Sequence, residues 1–565
     1  MHRPAFQTTP LDEVDRLLAG LHGARARWRD TSLASRVELL GQCADGVRAT
    51  AHEWVAAACE AKDVSLHGPT AAEEIAAGPL TVLRYLRLLS ASLSDIARSG
   101  RPRLPAKMVR GDDGRVRVPL FPTRGLYDSL LFPGYRAEAW LSPKTATDDG
   151  DGPMSDTSFL PPSNSTGTSL VLGAGNVSSI PAVDALMKLF EHNRVVLLKL
   201  NPVNDYLGDV FTRAFAPLIS RTFLAVCHGG AEVGSYAAHH ALVDDVHITG
   251  SLAAHNAIVW GTPDPPRDAQ HAPSARLNKP ITSELGNVTP WIVVPGRYSE
   301  RQLDFQAENV AAMIANNASF NCIAAKLIVT CRGWPDRERF LDKVQAVLAA
   351  TPHRSAYYPG AAERYRRFTG VEPAEAPCGT LPWTIVCDVD ADRQPHFFRE
   401  ESFVCVCAET AIEAAGQAEF LSRAVAFVNE RVWGTLGVGL MVPPDFRRSA
   451  AGRACWSAEL ARLRYGTVAV NVWPGIAYSM MCVPWGGYPG GTLADPQSGL
   501  GWVHNTYFLK GVEKSVVEAP LVARPKPLWF PTHRRVHVLA RRVLDLYHRP
   551  TWWKLARLVG PALRG

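Results

Sequence analysis

Between residues 169 and 259, short apolar runs alternate with segments of helical spacing, and this alternation restricts the fold more than any other feature. The β-prone runs are 169–172, 195–198, 222–226 and 245–248, and the helical segments are 180–189, 207–218, 232–240 and 252–259. Apolar strands separated by helices of this length are typical of a parallel, doubly wound sheet. Such sheets bind ligands at the carboxyl ends of their strands.

A second alternating section follows the turn at 281–286. It consists of strands at 291–294, 327–330, 384–387 and 404–407 and helices at 302–318, 337–349 and 411–425. No internal repeat is evident. We therefore predict two α/β units that follow one another along the chain.

Before these units, residues 11–99 show helical spacing, as in Val14, Leu17, Leu18 and Leu21. Prolines and short β-prone runs replace it in 101–141, which predicts an extended bridging segment. Two stretches, 144–168 and 263–278, are polar and contain proline, and we expect both to be exposed loops.

Composition narrows the class of protein. A chain of 565 residues exceeds the size of a single core. Its net charge of +6, with 60 basic and 54 acidic residues, is small for a chain of this length and does not predict nucleic-acid binding. The N-terminus reaches Asp12 without an apolar core, so we expect no secretory signal and a cytoplasmic location. The 11 cysteines are scattered, which favours reduced thiols over disulfides or a metal site.

The stretch 466–494 lacks Asp, Glu, Lys and Arg and could be mistaken for a membrane span. Pro474, Pro484 and Pro489 would interrupt a spanning helix repeatedly. We therefore predict buried strands and tight loops in this part of the chain.

Several polar residues fall at predicted strand ends. Asn176 and Lys199 end successive strands, the tripeptide Thr249-Gly250-Ser251 starts a helix, and Glu284 precedes an apolar strand. Each has an ordinary interpretation as a turn, cap or solvated charge. Cys322, among 11 cysteines, would by itself be expected to be a buried packing residue.

Taken together, these residues form an ordered pattern that resembles the aldehyde dehydrogenase superfamily, as a divergent member, from about Arg27 to Val516. The residues that carry the resemblance are Asn176, Lys199, Gly230, Gly234, Thr249-Gly250-Ser251, Glu284-Leu285-Gly286, Cys322, Glu401, Phe403, Asn429, Asn471 and Pro484-Trp485-Gly486-Gly487. The resemblance implies an α/β fold with a Rossmann-type parallel-sheet cofactor domain, an α/β catalytic domain and extended bridging and oligomerisation segments.

The resemblance also implies a reaction. Cys322 matches the nucleophile, which attacks an aldehyde and carries the product as a thioester. Asn176 and the backbone N–H of Cys322 match the donors to the oxyanion. Glu284 matches the general base that activates water. We expect the pKa of Cys322 to be lowered by a helix N-terminus or by the bound cofactor.

The remaining matched residues imply a dinucleotide, NAD or NADP. Lys199 matches a contact to the adenosine ribose, Ser251 a residue near the pyrophosphate, and Glu401 a contact to the nicotinamide ribose with Phe403 beside it. Gly230, Gly234, Thr249 and Gly250 belong to the same predicted binding surface. In many NAD-preferring members a glutamate follows the lysine by three positions; Pro202 stands there, which leaves NADP open.

The sequence departs from the usual pattern at three motifs. Phe320-Asn321 replaces Gly-Gln before the nucleophile, Asn287 replaces the second glycine after Glu284, and Phe403 is followed by Val404-Cys405-Val406 instead of Gly-Pro-Val. The reactive side chains are present. The departures leave the cofactor pose and the substrate class open.

The last residues form a basic tail, with eight Lys or Arg and one Asp between His533 and Gly565. Val536, Leu539, Val543, Leu546 and Tyr547 can share one helical face, and Trp552 and Trp553 lie beyond Pro550. Such a helix packs against the body or a neighbouring subunit, or lies on an anionic membrane; packing is the more common outcome.

We predict four regions: helices and a dinucleotide-binding domain at 1–296, a catalytic domain at 297–500, an extended oligomerisation segment at 501–531, and the tail at 532–565. The expected partners are a small-molecule aldehyde and further copies in a homodimer or homotetramer. Two alternatives stay open: a relative that passes the acyl group to coenzyme A, and an inactive cofactor-binding scaffold.

Overall fold

The computed structural model describes residues 7–111, 113–143, 166–265, 274–373 and 379–564. The predicted loop at 144–168 falls largely outside them, and so do residues 266–273 of the loop predicted at 263–278. The predicted boundaries of the four regions stay predictions.

The chain opens with the predicted helices, and then an extended segment. These elements are α1 (Leu11–Arg29), α2 (Leu33–Ala61), α3 (Ala71–Ile75), α4 (Thr81–Ser99), β1 (Val109–Arg110), β2 (Val116–Phe121), α5 (Tyr127–Leu131) and β3 (Arg136–Leu141). In α1, Val14, Leu18 and Leu21 form a buried stripe. Helical spacing of apolar residues produces such a stripe because residues three and four apart share one face.

The first alternating section forms a six-stranded sheet. Its elements are β4 (Gly167–Leu172), α6 (Ile180–Phe190), β5 (Arg194–Lys199), α7 (Gly208–Ala214), α8 (Ala216–Ile219), β6 (Leu224–Cys227), α9 (Ala231–His239), β7 (Asp245–Thr249), α10 (Leu252–Trp260) and β8 (Ile281–Glu284). Strands β8, β7, β4, β5 and β6 lie side by side in that order and are parallel. The predicted doubly wound sheet is confirmed.

The second section supplies β9 (Thr289–Val293), α11 (Glu300–Ala315), β10 (Ala325–Cys331), α12 (Arg337–Ala350), α13 (Ala361–Thr369), β11 (Thr384–Val386), α14 (His396–Arg399), β12 (Val406–Ile412), α15 (Gln417–Arg431), β13 (Gly437–Met441), α16 (Ala450–Arg462), β14 (Thr467–Val470), α17 (Gly475–Met480), β15 (Gly499–Leu500) and β16 (Val512–Glu518). Seven of these strands are parallel in a ten-stranded sheet of order β1-β2-β3-β16-β14-β13-β9-β10-β12-β11. The hairpin of β2 and β3 adds to it antiparallel to β16. Short β15 instead joins the six-stranded sheet beside β8.

The helix predicted at 411–425 is wrong in its first part. Residues 411 and 412 end strand β12, and the helix begins at Gln417 after Gly416. The alanines and glutamate of this stretch favour a helix locally. Pairing of β12 between β10 and β11 in the buried sheet overrides that preference.

The tail continues as α18 (Val536–His548), α19 (Trp552–Ala556) and α20 (Val559–Leu563). Helix α18 packs against α2, α3 and α4, and all five residues of its predicted apolar face are buried. Packing of this helix on the body is therefore confirmed. Among the described residues, no helix combines the length and the apolar character needed to cross a bilayer.

Candidate active site

A cleft of about 670 Å³ opens at the carboxyl ends of strands in the six-stranded sheet. All of the site residues predicted from the sequence line it: Asn176, Lys199, Gly230, Gly234, Thr249, Gly250, Ser251, Glu284, Cys322, Glu401 and Phe403. Glu284 is the last residue of β8, just before the chain crosses to β9 in the other sheet. The cleft therefore lies where the two sheets meet.

Glycines give one wall of the cleft room for a ligand. A methyl group added at Gly230 would meet no protein atom within 4 Å, and one at Gly234 or Gly250 would make only ordinary contacts. Helix α9 begins just after Gly230, and α10 begins after Ser251, whose hydroxyl caps it by accepting a hydrogen bond from the Ala254 N–H. Helix N-termini next to open backbone suit a phosphate-containing ligand.

Lys199 ends β5 within the same wall. Its side chain is buried, and burial lowers its pKa. Pro202 follows in place of a carboxylate, and Arg276 also lines the cleft. An anionic or polyhydroxyl ligand bound in the cleft would accept hydrogen bonds from this buried ammonium group. These residues fit a dinucleotide.

The thiol and the carboxyl predicted to react lie together. The Cys322 S–H donates to Glu284 Oε1 over 3.9 Å. Glu284 is buried, and burial, followed by the nearby Asp184, raises its pKa to about 8. Cys322 itself is partly exposed. The pair therefore combines a thiol with a carboxyl group that changes protonation near neutral pH.

Trp485 fixes the orientation of this carboxyl group. Its indole N–H donates to Glu284 Oε1 at 2.8 Å, while Glu284 Oε2 makes no hydrogen bond within the described part of the chain. The tryptophan bond favours the ionised carboxylate and lowers its pKa against the effect of burial. Oε2 is therefore free to accept a hydrogen bond from a ligand or a water in the cleft.

The expected lowering of the Cys322 pKa is not found in this structure. Burial is the largest cause of a pKa raised well above that of an ordinary thiol, and the carboxylates of Glu284 and Glu401 add to it. No helix begins at Cys322, since a short 3₁₀ turn ends at Ser319 and β10 starts at Ala325. The thiol is therefore protonated at neutral pH and needs a base to ionise.

The loop before Cys322 has an unusual backbone. Asn317, Ala318 and Ser319 have φ values of 52°, 53° and 70°. Left-handed conformations cost free energy for residues with a side chain, so surrounding contacts must hold this loop in place. The Asn176 Nδ2 group donates to the Phe320 carbonyl at 3.0 Å. An amide nitrogen carries two hydrogens, so Asn176 retains a second donor for a ligand oxygen.

Lys62, the residue directly after α2, holds the loop through buried hydrogen bonds. Its ammonium group, buried with Glu74, donates to that carboxylate, to the Asn176 carbonyl and to Asn317 Oδ1, each at 3.0 Å. The Asn317 amide donates in turn to the carbonyls of Asn176 and Phe320. We call Lys62, Glu74 and Asn317 the loop anchor. It ties the N-terminal helices to both the Asn176 and the Cys322 loops.

Glu401 and Phe403 form the opposite wall. Burial raises the pKa of Glu401 to about 8, while Lys326 and the Asn287 backbone N–H lower it. A Cβ at Gly286 would overlap the Glu401 carboxylate, which explains the glycine. The Phe403 ring lies 5.0 Å from Tyr358 and 5.8 Å from Phe320.

Sequence reasoning missed several residues of the site. Tyr358 and Arg364 line the cleft, and the Arg364 guanidinium lies 5.8 Å from the Phe403 ring centre. Neither residue stands at a strand end or in a motif, so no local signal marks it. Trp485 carried a signal because it lies in one of the motifs, but its contact with Glu284 was not predicted.

Asn429 and Asn471, like the residues of the Pro484-Trp485-Gly486-Gly487 motif, do not line the cleft. The Asn429 side chain joins α15 to Arg462 and Arg464, and Asn471 joins β14 to Val442 and Ala519. Both connect backbone segments of the second unit. Their contacts are structural.

No protein-family profile and no curated protein matches the sequence. Many solved structures match the fold. The aldehyde dehydrogenase KauB from Pseudomonas aeruginosa is 17% identical with a TM-score of 0.60, covering 90% of this chain and 89% of that one. An indole-3-acetaldehyde dehydrogenase complexed with NAD⁺ is 17% identical with a TM-score of 0.57, covering 90% and 89%.

A third structure is the glyceraldehyde-3-phosphate dehydrogenase GapN from Methanocaldococcus jannaschii, complexed with NADP. It is 12% identical with a TM-score of 0.56, covering 91% of this chain and 96% of that one. The chain therefore has the aldehyde dehydrogenase fold over nearly its whole length. The fold class predicted from the sequence is confirmed.

Proposed function

We propose that this chain, as a divergent aldehyde dehydrogenase, oxidises an aldehyde to a carboxylic acid with NAD or NADP through a thioester on Cys322. The observation that carries the proposal is the 3.9 Å contact between the Cys322 thiol and the Glu284 carboxyl group. It lies in a cleft that also contains Asn176 and every residue predicted to bind the dinucleotide.

The first step forms the carbon–sulfur bond. Because the pKa of Cys322 is raised, Glu284 takes the thiol proton as the sulfur attacks the carbonyl carbon. The carbonyl oxygen gains the negative charge of a tetrahedral thiohemiacetal. Asn176 Nδ2 and the Cys322 backbone N–H donate hydrogen bonds to that oxygen.

Bound NAD or NADP supplies the acceptor for the hydrogen and electron pair that leave the aldehyde carbon. Lys199 and Ser251 would hold its adenosine and pyrophosphate parts, and Glu401 with Phe403 its nicotinamide ribose. The product on the protein is a thioester. Once Glu284 has passed the thiol proton to solvent, it removes a proton from water, which attacks the thioester carbonyl and releases the acid and the Cys322 sulfur.

The test uses an aldehyde panel with either dinucleotide. Cys322→Ala should abolish reduction of the dinucleotide while leaving its binding, measured by calorimetry, unchanged. Cys387→Ala, at an exposed cysteine, is the matched control and should keep full activity. Turnover by Cys322→Ala equal to that of the unmodified protein would refute the nucleophile.

Transfer of the acyl group to coenzyme A is the alternative reaction, and Glu284 favours water instead. Mass spectrometry of the unmodified protein, quenched during turnover of aldehyde and dinucleotide, should reveal an acyl group on Cys322, and Glu284→Gln should show none, because it lacks the base that ionises the thiol. Free acid should be the product of the unmodified protein with and without coenzyme A. Formation of acyl-CoA in its place would favour the alternative, and dinucleotide binding without any turnover would favour the scaffold.

Pro202 bears on whether the protein accepts NADP as well as NAD. A carboxylate is absent there, and Lys199 and Arg276 bring positive charge to the cleft, so a 2′-phosphate meets no repulsion. We expect Pro202→Glu to lower kcat/KM for NADP more than for NAD. Pro202→Gln is the uncharged control and should change both alike.

Assembly is part of the proposal. We infer a homodimer or homotetramer from the resemblance to aldehyde dehydrogenases. Light scattering of the purified protein tests this directly, and a monomer at working concentration would contradict it.

A further inference from the structure

Large apolar side chains are exposed mainly in one region of the molecule. Nine are exposed among the described residues, and six of these lie just before or within α5 and within α19 and α20. We call these six the tail face: Leu126, Leu130, Trp552, Trp553, Val559 and Leu563. Trp553 is 73% exposed and Leu563 78%. A concentration of this kind marks an interaction surface rather than the scattered apolar residues of an ordinary exterior.

The tail face is continuous. The rings of Tyr127, in α5, and Trp552, in α19, lie 5.5 Å apart, so the two segments touch. Leu130, Val559 and Leu563 also border a single groove of about 960 Å³. Phe132 and Leu555 line the same groove between them. An apolar partner would therefore meet one surface instead of separate points.

Buried polar contacts hold the helices next to the tail face in place. Arg84, in α4, donates to both oxygens of Asp128, in α5, and to the Tyr547 hydroxyl, in α18. The side chains of Arg84 and Asp128 are almost completely buried. At the end of α18, Arg549 pairs with Asp45 of α2. These contacts hold α5 and α18 in place, and the six residues of the tail face remain exposed to solvent beside them.

The charge of this region is strongly positive. After Glu518 the chain has ten Lys or Arg and a single acid, Asp545, giving +9, whereas the whole chain carries +6. The preceding 518 residues therefore carry −3. Asp545 is paired with Arg48, so it does not offset the exposed Arg557 and Arg564 beside the face.

We propose that the tail face docks on the surface of an anionic lipid bilayer. Tryptophan is favoured at the boundary between lipid headgroups and acyl chains, and basic residues beside it attract anionic lipids. Helices α19 and α20 have five residues each, so they lie in the interface and do not span it. A second copy of the chain is the poorer occupant, because it would bring two segments of +9 together. The proposal does not depend on the reaction at Cys322.

Sedimentation of the full-length protein with phosphatidylcholine vesicles, with and without phosphatidylserine, tests the proposal. Binding should require phosphatidylserine and weaken as salt is added. The double variant Trp553→Ser/Leu563→Ser should bind at least about tenfold more weakly, because it removes two large exposed apolar groups. Val109→Ser/Val371→Ser removes exposed apolar residues elsewhere and should bind like the unmodified protein.

Equal vesicle binding by the two double variants would overturn the proposal. Equal binding of the unmodified protein to vesicles with and without phosphatidylserine would overturn it as well. Light scattering tests the other candidate partner, a second copy of the chain. If Trp553→Ser/Leu563→Ser splits an oligomer while the unmodified protein ignores vesicles, the face is an interface between copies. Circular dichroism should be unchanged in both variants, since all four positions are exposed.

Discussion

Replacing Trp485 by phenylalanine should move the pH dependence of catalysis. The indole N–H donates to Glu284 Oε1 at 2.8 Å, and this bond stabilises the ionised carboxylate in a buried site. Phenylalanine keeps most of the ring volume and lacks the donor. Burial and the nearby Asp184 would then raise the Glu284 pKa without that opposing contact.

The size of the shift follows from the hydrogen bond. A bond to a charged group contributes about 1.5–3 kcal/mol, and 1.36 kcal/mol corresponds to one pKa unit. The pKa of Glu284, about 8 in this structure, should therefore rise by roughly 1–2 units in Trp485→Phe. At pH 8 the ionised fraction falls from about half to roughly 1–10%.

The assay is kcat against pH with a saturating aldehyde. Because the ionised carboxylate is the base, activity should rise with pH through its pKa, and the variant should reach its plateau at higher pH. Trp473→Phe is the matched control, since its indole N–H donates to the Ile323 carbonyl at 2.8 Å and does not touch Glu284. Superimposable profiles for Trp485→Phe and the unmodified protein would refute the assignment of Glu284 as the base.

Three further variants test other buried polar contacts. Lys62→Met leaves Asn317 without its donor and Glu74 buried without its cation. We expect kcat to fall at least about tenfold and the free energy of unfolding, measured in urea, by about 3–5 kcal/mol; an unchanged kcat would show that the loop anchor does not support catalysis. Glu284→Gln should raise the melting temperature at pH 8 more than at pH 5, because the raised pKa means that the folded protein loses stability as pH rises from about 4.5 to 8; an equal change at both pH values would contradict it. Arg84→Leu should cost about 3–5 kcal/mol, since it leaves Asp128 buried without its partner; a urea midpoint within error of the unmodified protein would show that the pair is not needed.

The sequence was most informative where local pattern and tertiary structure agree. Alternating apolar runs and helices predicted the six-stranded sheet, and all of the residues placed at its strand ends meet in one cleft. The carboxyl ends of parallel strands lie at one edge, so strand order alone brings these residues together. Their catalytic and binding roles stay predictions.

Contacts of residues outside the matched motifs, between distant parts of the chain, could not be predicted. Lys62 directly follows helix α2, where a lysine is normally solvated, and only the fold places it beside Asn317, 255 positions later. The direction of the Cys322 pKa depends on burial and on two carboxylates brought from other segments. The start of α15 was misplaced because pairing of β12 outweighed local helix preference.

The position of β16 has a consequence for how the chain is made. Strand β3 ends at Leu141, and its partner β16 begins at Val512, 371 positions later. At about 5–20 residues per second on the ribosome, β3 would wait roughly 20–70 s for that partner. Throughout this interval the β2–β3 hairpin has an open edge that can pair with another nascent chain. Synthesis of β16, rather than emergence of the first domain, is therefore the earliest point at which this protein can close its larger sheet.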